Sequence, residues 1–320
     1  MPVQSFWKVI VSRRSGGGKA VKDWPKIENL LKIKGIEYSA TITDHAYHAI
    51  ELARSAVLEG WRKLLVVGGD GAMHEVINGL YSQQEVSPSE VTVALIPVGS
   101  GNDWGRFHGI PTDYAAAVDL VADAEKHVRV QDIARVDTRM DGAPYCRYMI
   151  NVGGLGFDSE VCRRFDLAKA RGHAGDKQYL HCLLKGFLAY HCLQFRVSVD
   201  GEEFFRGPAF SVALGLGRYC GGGMMQTPEA IPDDGLIDLT VVRKLSKLKF
   251  TLKLPTLLNG TIFKNKEVLH TRGRRIDISA APYSYMEVDG EAVGITPVHI
   301  SVIPDGIKVI SNYQSFEGSM

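Results

Sequence analysis

The sequence is poor in cysteine, and its few cysteines are not spaced like metal ligands. Its 320 residues contain Cys146, Cys162, Cys182, Cys192 and Cys220. No two of them form a C-x-x-C pair or a Cys/His metal pattern, and their odd number argues against a disulfide framework. Reduced thiols of this kind are typical of the cytosol, so we expect a cytoplasmic protein.

A charge imbalance and long apolar runs are also missing. The 37 Lys+Arg and 36 Asp+Glu residues give a formal net charge of +1, so no overall field would recruit nucleic acid. The apolar run from Phe6 to Val11 contains Lys8 and is too short for the core of a signal peptide. Because no segment is long enough to span a bilayer, we expect neither a nucleic-acid partner nor membrane insertion.

Length and hydrophobic content predict two domains. With 45% hydrophobic residues the chain can bury a substantial core, and its length suggests about two domains. Residues 1–130 alternate strand and helix patterns, which predicts a doubly wound parallel sheet. Residues 131–299 carry long β-type runs and predict a mainly antiparallel β domain with inserted helices. Residues 300–320 are expected to rejoin the first domain, with a short hairpin around Pro304-Asp305-Gly306. The predicted fold class is therefore α/β plus β.

Two glycine-rich turns follow apolar strands in the first domain. Gly68-Gly69-Asp70-Gly71 ends one strand and precedes a helical pattern, and Gly99-Ser100-Gly101-Asn102-Asp103 ends the next. Glycines admit positive φ and close backbone approach to an anion, while the following helix offers the positive end of its dipole. The carboxyl ends of parallel strands share one sheet edge, so Asp70 and Asp103 are expected side by side. The pattern predicts a nucleotide domain that carries out phosphate chemistry.

Both turns resemble kinase signatures. The first, with Glu75, Asn78 and Gly79 behind it, resembles the GGDG[TS] signature shared by diacylglycerol, sphingosine and NAD kinases and phosphofructokinases. The second continues through Arg106 to Gly109-Ile110-Pro111 and resembles the G-T-x-N-D-F-A-R…G-I-P element of the diacylglycerol kinase catalytic family. NAD kinases and phosphofructokinases lack this second element, so the pair of strings points to a lipid-type kinase.

Further strings extend the resemblance along most of the chain. Ser15-Gly16-Gly17-Gly18-Lys19 resembles the N-P-x-S-G-x-G loop of the family, although Ser12 and Arg13 replace Asn and Pro. This loop is not a Walker A motif, because Ala20 replaces the Ser/Thr. Asn151 to Asp158 resembles N-x-x-G-x-G-F-D, and Gly221 to Asp238 resembles G-G-G-M…P-x-A…D-G-x-[LI]-D.

The resemblance implies ATP and Mg²⁺ as cofactors and identifies residues that would bind them. The cofactor-binding residues implied are Ser12, Ser15, Gly16, Thr43, Gly68, Gly69, Asp70, Gly71, Ala72, Met73, His74, Glu75, Gly99, Ser100 and Asn102. A structural Mg²⁺ would be held by the Asp234 carboxylate with the backbone carbonyls of Ile231 and Leu236. Hard oxygen ligands from a tight turn suit this ion.

Three acidic residues are the catalytic candidates. Asp289-Gly290-Glu291 matches the D-G-E string of the family, in which the glutamate is the proposed base. An alcohol is a poor nucleophile at neutral pH, so a carboxylate must take its proton as the bond to phosphorus forms. Asp70 and Asp103 would coordinate or orient the catalytic Mg²⁺ and the acceptor hydroxyl. The local sequence alone instead favours an Asp-Gly hairpin turn with an exposed Glu291.

The resemblance implies an ATP-dependent lipid kinase that phosphorylates the hydroxyl of diacylglycerol or of a long-chain or sphingoid base. The expected partners are a lipid alcohol and the membrane surface, and a homodimer is left open. An apolar helix over residues 177–193 could line a lipid slot, dock on a membrane or form ordinary core. Ala72 and His74 depart from the usual Thr/Ser and Asn and would weaken nucleotide binding. The Ala72 departure keeps open a catalytically weak nucleotide- or lipid-binding protein. The other alternative is an NAD kinase-like enzyme, which the Gly68 to Gly71 turn and the lack of an obvious membrane anchor support.

Overall fold

The computed structural model describes residues 6–99, 101–171 and 176–313. Two compact units make up the chain. Unit 1 comprises Met1–Gln131 and Asp305–Met320, and unit 2 comprises Asp132–Pro304. Ser100, which was predicted to bind nucleotide, and residues 314–320, which were predicted to join the first domain, lie outside the described residues.

A parallel sheet forms the centre of unit 1. Its strands are β1 (Trp7–Val11), β2 (Tyr38–Ile42), β3 (Lys63–Gly68) and β4 (Thr92–Pro97). They lie in the order β2-β1-β3-β4 with parallel pairing throughout, and residues 308–309 pair in parallel with β4. Strands β1, β3 and β4 are continuous apolar runs with almost no exposed side chain, as expected for a sheet that is covered on both faces.

The strands of unit 1 alternate with helices. These are α1 (Lys19–Ile33), α2 (His48–Leu58), α3 (Asp70–Leu80), α4 (Asp103–Phe107), α5 (Tyr114–Ala122) and α6 (Ala124–His127). Short 3₁₀ turns cover Ser15–Gly18 and Pro88–Glu90. Helix α1 packs against α5, and α2 packs against α3. The sequence pattern placed the start of α3 at Met73, but the helix begins at Asp70, immediately after the strand.

Unit 2 is built mainly from β-strands. They are β5 (Val128–Met140), β6 (Ala143–Met149), β7 (Val152–Gly156), β8 (Leu193–Val199), β9 (Glu202–Gly215), β10 (Tyr219–Cys220), β11 (Met224–Met225), β12 (Ile237–Arg243), β13 (Val268–Gly273), β14 (Arg275–Ala281), β15 (Tyr285–Val288) and β16 (Glu291–Ile310). Helices α7 (Phe157–Ala170), α8 (Asp176–Ala189) and α9 (Lys247–Leu258) and a 3₁₀ turn at Ile262–Lys264 are inserted between them. The first residues of β5 and the last of β16 belong to unit 1.

The strand pairing of unit 2 closes on itself. Antiparallel pairs connect β9 to β8, β8 to β14, β14 to β16, β16 to β15, β15 to β7 and β7 back to β9. These strands supply a buried apolar cluster that includes Val197, Leu214, Met286 and Ile300. The prediction of an N-terminal α/β domain followed by a β-rich C-terminal domain is thereby confirmed.

The predicted hairpin around Pro304-Asp305-Gly306 is wrong. Strand β16 continues through these residues from Glu291 to Ile310. Residues 298–301 pair with β14, whereas residues 308–309 pair with β4, so the chain changes partners instead of folding back. A two-residue type I′ hairpin needs positive φ at both central residues, and here Asp305 has φ 50° while Gly306 is not in that region.

The helices of unit 2 cover a second apolar cluster. Phe157, Val161 and Phe210 form its centre, and Phe187 of α8 and Phe250 of α9 pack against it. Among the helices in the described part of the chain, none is both long and apolar enough to cross a bilayer.

Candidate active site

The first glycine-rich turn connects β3 to α3. Gly69 has extended φ and ψ and is the N-cap of the helix. Gly68, Gly69 and Gly71 do not adopt positive φ, so the expectation of positive φ at these glycines is wrong. Crowding explains two of them: a Cβ on Gly68 would lie 2.7 Å from the Cβ of Ala72, and one on Gly69 would lie 2.8 Å from the Cα of Gly99. The two turns thus approach each other too closely for a side chain at residue 69.

The second turn is closed by its own asparagine. Asn102 has φ 51°, a conformation that asparagine tolerates better than most residues. Its Oδ1 accepts the Gly99 N–H at 3.0 Å, and its Nδ2 donates to the Gly99 carbonyl at 2.8 Å. The amide of Asn102 therefore fixes the loop that precedes α4.

Asp70 joins the two turns. Its Oδ2 accepts the N–H of Asp103 and its Oδ1 accepts the N–H of Trp104, both at 3.0 Å. The carboxylate therefore caps the first turn of α4, where backbone donors have no intrahelical acceptor. A Cβ on Gly101 would lie 3.3 Å from Asp70 Oδ2 and 3.5 Å from Asp103 Oδ2. The two carboxylates, predicted to be neighbours from sequence, thus flank a single glycine.

The Asp103 side chain is buried and paired. It is 7% exposed, and its Oδ1 accepts a hydrogen bond from Arg106 Nη1 at 2.9 Å within α4. Arg106 was part of the motif quoted from the sequence but was given no role. Its spacing of three residues from Asp103 on a helix is the signal that could have identified the pair.

The loop after β1 reaches the first turn. Ser15 Oγ donates to Ser12 Oγ at 2.9 Å and accepts the Gly69 N–H at 3.3 Å. Gly16 has φ 59°, and a Cβ there would lie 2.5 Å from the Val98 carbonyl oxygen. Glycine is required at this position by both conformation and space. The structure therefore brings Ser12, Ser15 and Gly16 together with the Gly69 turn.

Thr43 and Glu75 support the loops that surround this edge of the sheet. Thr43 Oγ1 accepts the backbone N–H of Arg13 at 2.9 Å, and the Thr43 carbonyl accepts Arg13 Nε at 2.8 Å. Glu75 Oε2 accepts the N–H of Ala49 in the first turn of α2 at 3.3 Å. Both residues, predicted to bind nucleotide, hold neighbouring backbone in place.

Three predicted contact residues at the start of α3 face the protein interior. Ala72, Met73 and His74 are all buried, and the His74 carbonyl accepts Asn78 Nδ2 at 2.9 Å. Gly71 differs, because a Cβ there would meet nothing within 4 Å. The open side of the turn is therefore the backbone at Gly71, at the positive end of the α3 dipole.

Glu291 lies in unit 2, beside a two-residue hairpin. Asp289 and Gly290 have φ 50° and 86° between β15 and β16, as a type I′ turn requires. Asp289 Oδ2 accepts the Ile150 N–H at 3.0 Å and its Oδ1 accepts the Asn151 N–H at 2.9 Å. This anchoring role of Asp289 was missed from the sequence, although the Asp-Gly pair signals the turn itself. Glu291 is half-buried, not exposed as the local sequence favoured.

The predicted structural metal element contains an ion-pair network. Asp234 Oδ1 accepts the Leu236 N–H at 3.0 Å, and its Oδ2 accepts Arg272 Nη1 at 3.0 Å. Arg272 also contacts Asp238 at 2.9 Å. Burial raises the pKa of Asp238 to about 6, against the opposing effect of Arg272. Asp234 has the oxygen chemistry that Mg²⁺ needs, and Ile231 and Leu236 flank the turn, but a cation would compete with Arg272 for Oδ2.

A further carboxyl group lies at the start of α7, on a half-buried residue. Asp158 Oδ1 accepts Gln226 Nε2 at 3.1 Å, while its Oδ2 has no hydrogen-bond partner. Burial raises the pKa of Asp158 to about 6. This residue ends the string Asn151 to Asp158, and sequence reasoning assigned it no role.

Comparison with known proteins identifies related sequences for both units. Residues 7–136 match the family model of the diacylglycerol kinase catalytic domain. Residues 151–311 match that of the YegS C-terminal NAD kinase beta sandwich-like domain. A diacylglycerol kinase of Mycobacterium tuberculosis is 29% identical over 297 residues, which cover 92% of each chain.

Solved structures share the fold. A crystal structure of a diacylglycerol kinase from Bacillus anthracis has a TM-score of 0.71 at 22% identity and covers 96% of this chain and 97% of its own. An NAD kinase from Archaeoglobus fulgidus in complex with ATP has a TM-score of 0.51 at 13% identity, with coverage of 96% and 94%. At these identities the likeness shows the fold alone.

Proposed function

Because this chain belongs to the diacylglycerol kinase catalytic-domain family of phosphotransferases, we propose that it transfers the γ-phosphoryl group of ATP to a lipid hydroxyl. The observation that carries this proposal is the pair of carboxylates, Asp70 and Asp103, on either side of Gly101. The lipid acceptor is supported by the string from Gly99 to Pro111, which soluble relatives lack. Diacylglycerol and long-chain bases are the acceptors that we expect.

We propose that the first glycine-rich turn binds the phosphates of ATP. The exposed backbone at Gly71 stands at the N-terminus of α3, where N–H groups and the helix dipole favour an anion. Gly68 and Gly69 let this turn pack closely against the loops that carry Ser15 and Gly99. Rigid packing suits phosphoryl transfer, which depends mainly on positioning and on charge neutralisation.

Asp70 and Asp103 are proposed as the carboxylates that hold the catalytic cation. Each Asp70 oxygen accepts a backbone N–H, and a carboxylate oxygen has two lone pairs. Bound Mg²⁺ would neutralise charge that develops on the transferring group. By capping α4, Asp70 also fixes the backbone from which the Asp103 carboxylate projects.

Glu291 is proposed as the general base. As the acceptor oxygen forms its bond to the γ-phosphorus, the hydroxyl proton passes to the Glu291 carboxylate and ADP leaves with the electrons of the broken P–O bond. Asp289 fixes the preceding turn through its bonds to residues 150 and 151. The hairpin therefore gives Glu291 a defined starting position.

A structural Mg²⁺ at Asp234, with the carbonyls of Ile231 and Leu236, remains part of the proposal. Because Arg272 bonds to Asp234 Oδ2, Mg²⁺ and the guanidinium are alternatives for that oxygen. We expect Mg²⁺ to raise the melting temperature of the wild type by more than that of Asp234→Ala, which keeps only the cation site at Asp70 and Asp103. If Mg²⁺ raised the melting temperature of both proteins equally, the proposed metal site at Asp234 would be wrong.

The decisive experiment incubates the purified protein with γ-labelled ATP and either a dispersed lipid extract or NAD. We expect label in lipid phosphomonoesters. The kcat of Glu291→Gln should fall about 100-fold or more, with an unchanged melting temperature. Glu202→Gln changes an exposed residue on β9 and is the control that should keep the wild-type kcat. Label in NAD alone would favour the NAD kinase-like alternative, and ATP binding without any product would favour a nucleotide-binding protein.

A further inference from the structure

Helices α8 and α9 carry exposed leucines in pairs. Leu184 and Leu188 of α8 are 55% and 70% exposed, and Leu248 and Leu252 of α9 are each 71% exposed. The members of each pair are four residues apart, which places them on the same side of their helix. Together they are termed the leucine surface.

The two helices are neighbours, and each also has a buried side that packs on the core. The rings of Phe187 on α8 and Phe250 on α9 are 5.2 Å apart and pack on the cluster around Phe157. At the outer edge, Lys247 Nζ donates to the Leu188 carbonyl, so α9 begins where α8 ends. The leucine surface is therefore additional to the apolar side that already forms the core.

The chain around the leucine surface is strongly basic. Residues 239–266 contain seven Lys or Arg and no Asp or Glu, in a protein of net charge +1. Glu267, the next residue, pairs with Lys249 and Lys253 at 3.9 and 3.1 Å, so the segment with Glu267 included keeps an excess of six positive charges. Lys185 lies between the two leucines of α8 and borders a cavity of about 270 Å³ between α7 and α8. Arg164, Arg171 and His181 line the same cavity. Exposed leucines thus lie beside a concentration of positive charge.

We propose that the leucine surface docks on a bilayer that contains anionic phospholipid. Lysines with leucines on an exposed helix are typical of segments that lie in the membrane interface, and basic groups are attracted to anionic headgroups. A second copy of this chain fits less well, because a two-fold contact would place the same basic segments opposite each other. The inference deepens the proposed lipid kinase function by naming the surface through which the protein reaches its acceptor.

The test measures co-sedimentation of the full chain, without ATP, with phosphatidylcholine vesicles that contain or lack phosphatidylglycerol. We expect binding to the phosphatidylglycerol vesicles that weakens as salt is added. The double variant Leu248→Ser/Leu252→Ser should lower the partition coefficient about 30-fold, since both leucines lose part of their transfer free energy. Ile33→Ser is the matched control, because Ile33 is 67% exposed on α1 of unit 1, and it should bind like the wild type.

A charge variant separates the two contributions. Lys185→Gln/Lys244→Gln should reduce binding to phosphatidylglycerol vesicles and leave weak binding to phosphatidylcholine unchanged. Because all of these side chains are exposed, the circular dichroism melting curves should match the wild type. The proposal would be overturned if the wild type did not bind vesicles, or if the leucine variant bound them as well as the wild type does. A wild-type dimer that the leucine variant dissociates would assign the surface to a second copy instead.

Activity on a water-dispersed short-chain diacylglycerol distinguishes this inference from the proposed function. If the docking surface is right, the leucine variant should keep the wild-type rate on that substrate and lose rate only on vesicles. Vesicle binding without any kinase activity would contradict the proposed function alone. Kinase activity without vesicle binding would contradict the docking surface alone.

Discussion

The substitution Asp70→Asn tests whether one carboxylate assembles the candidate site. In the wild type both oxygens of Asp70 accept backbone N–H groups of α4, at 3.0 Å each. An asparagine keeps one acceptor, and its NH₂ group then faces the other N–H. The change therefore removes one charge-assisted hydrogen bond and places two donors in contact.

The expected loss is about 3 kcal/mol, because a hydrogen bond to a charged group contributes roughly 1.5–3 kcal/mol and an unsatisfied donor adds to the cost. For a unit of this size that corresponds to a melting temperature lower by about 6–12 °C. The variant should still fold, and kcat should fall about 100-fold or more, because the Asp103 backbone and carboxylate lose their fixed position. Calorimetry and steady-state assays on the same preparation measure both effects.

Asp44→Asn is the control. Its carboxylate is 69% exposed and pairs with Arg13 at 3.2 Å, and exposed pairs contribute little to stability. We expect wild-type melting and wild-type kcat. If Asp70→Asn melts like this control, its bonds to Asp103 and Trp104 do not stabilise α4. If it melts lower but keeps full kcat, the carboxylate is structural only.

Three other substitutions probe the remaining features. Ala72→Ser restores the hydroxyl usual in the family and should lower the KM for ATP about three- to tenfold; an unchanged KM in ATP saturation curves would show that no phosphate lies near residue 72. The folded-state pKa of Asp158, about 6, exceeds the ordinary 3.8, so stability should fall as pH rises from about 4 to about 6. Asp158→Asn should reduce that fall in urea melts, and the remainder is expected from Asp238, whose pKa is also raised to about 6. An identical pH dependence in both proteins would contradict the raised pKa of Asp158. Asp289→Asn keeps a residue that tolerates positive φ but replaces one of the two oxygens that accept three N–H groups with an NH₂ donor, so melting temperature and kcat should both drop; an unchanged kcat would mean that this hairpin does not position Glu291.

Local patterns alone were enough to predict the architecture and the positions of the turns. Buried parallel strands read as continuous apolar runs, as in β3 and β4, and each such run ends at a glycine-rich turn with a carboxylate. The adjacency of Asp70 and Asp103 follows from this pattern, because parallel neighbours bring their carboxyl ends to one edge. The Asp289-Gly290 turn is likewise a local property, set by two residues that accept positive φ.

Tertiary structure decided which partners these residues meet. The sequence did not show that Asp70 caps α4, that Arg272 occupies Asp234 Oδ2, or that β16 continues past Asp305. The positive φ expected at Gly69 is absent, because glycine is required there by the close approach of Gly99. Strand and helix periods depend on residues a few positions apart, whereas hydrogen-bond acceptors, steric crowding and strand partners depend on segments that only packing brings together.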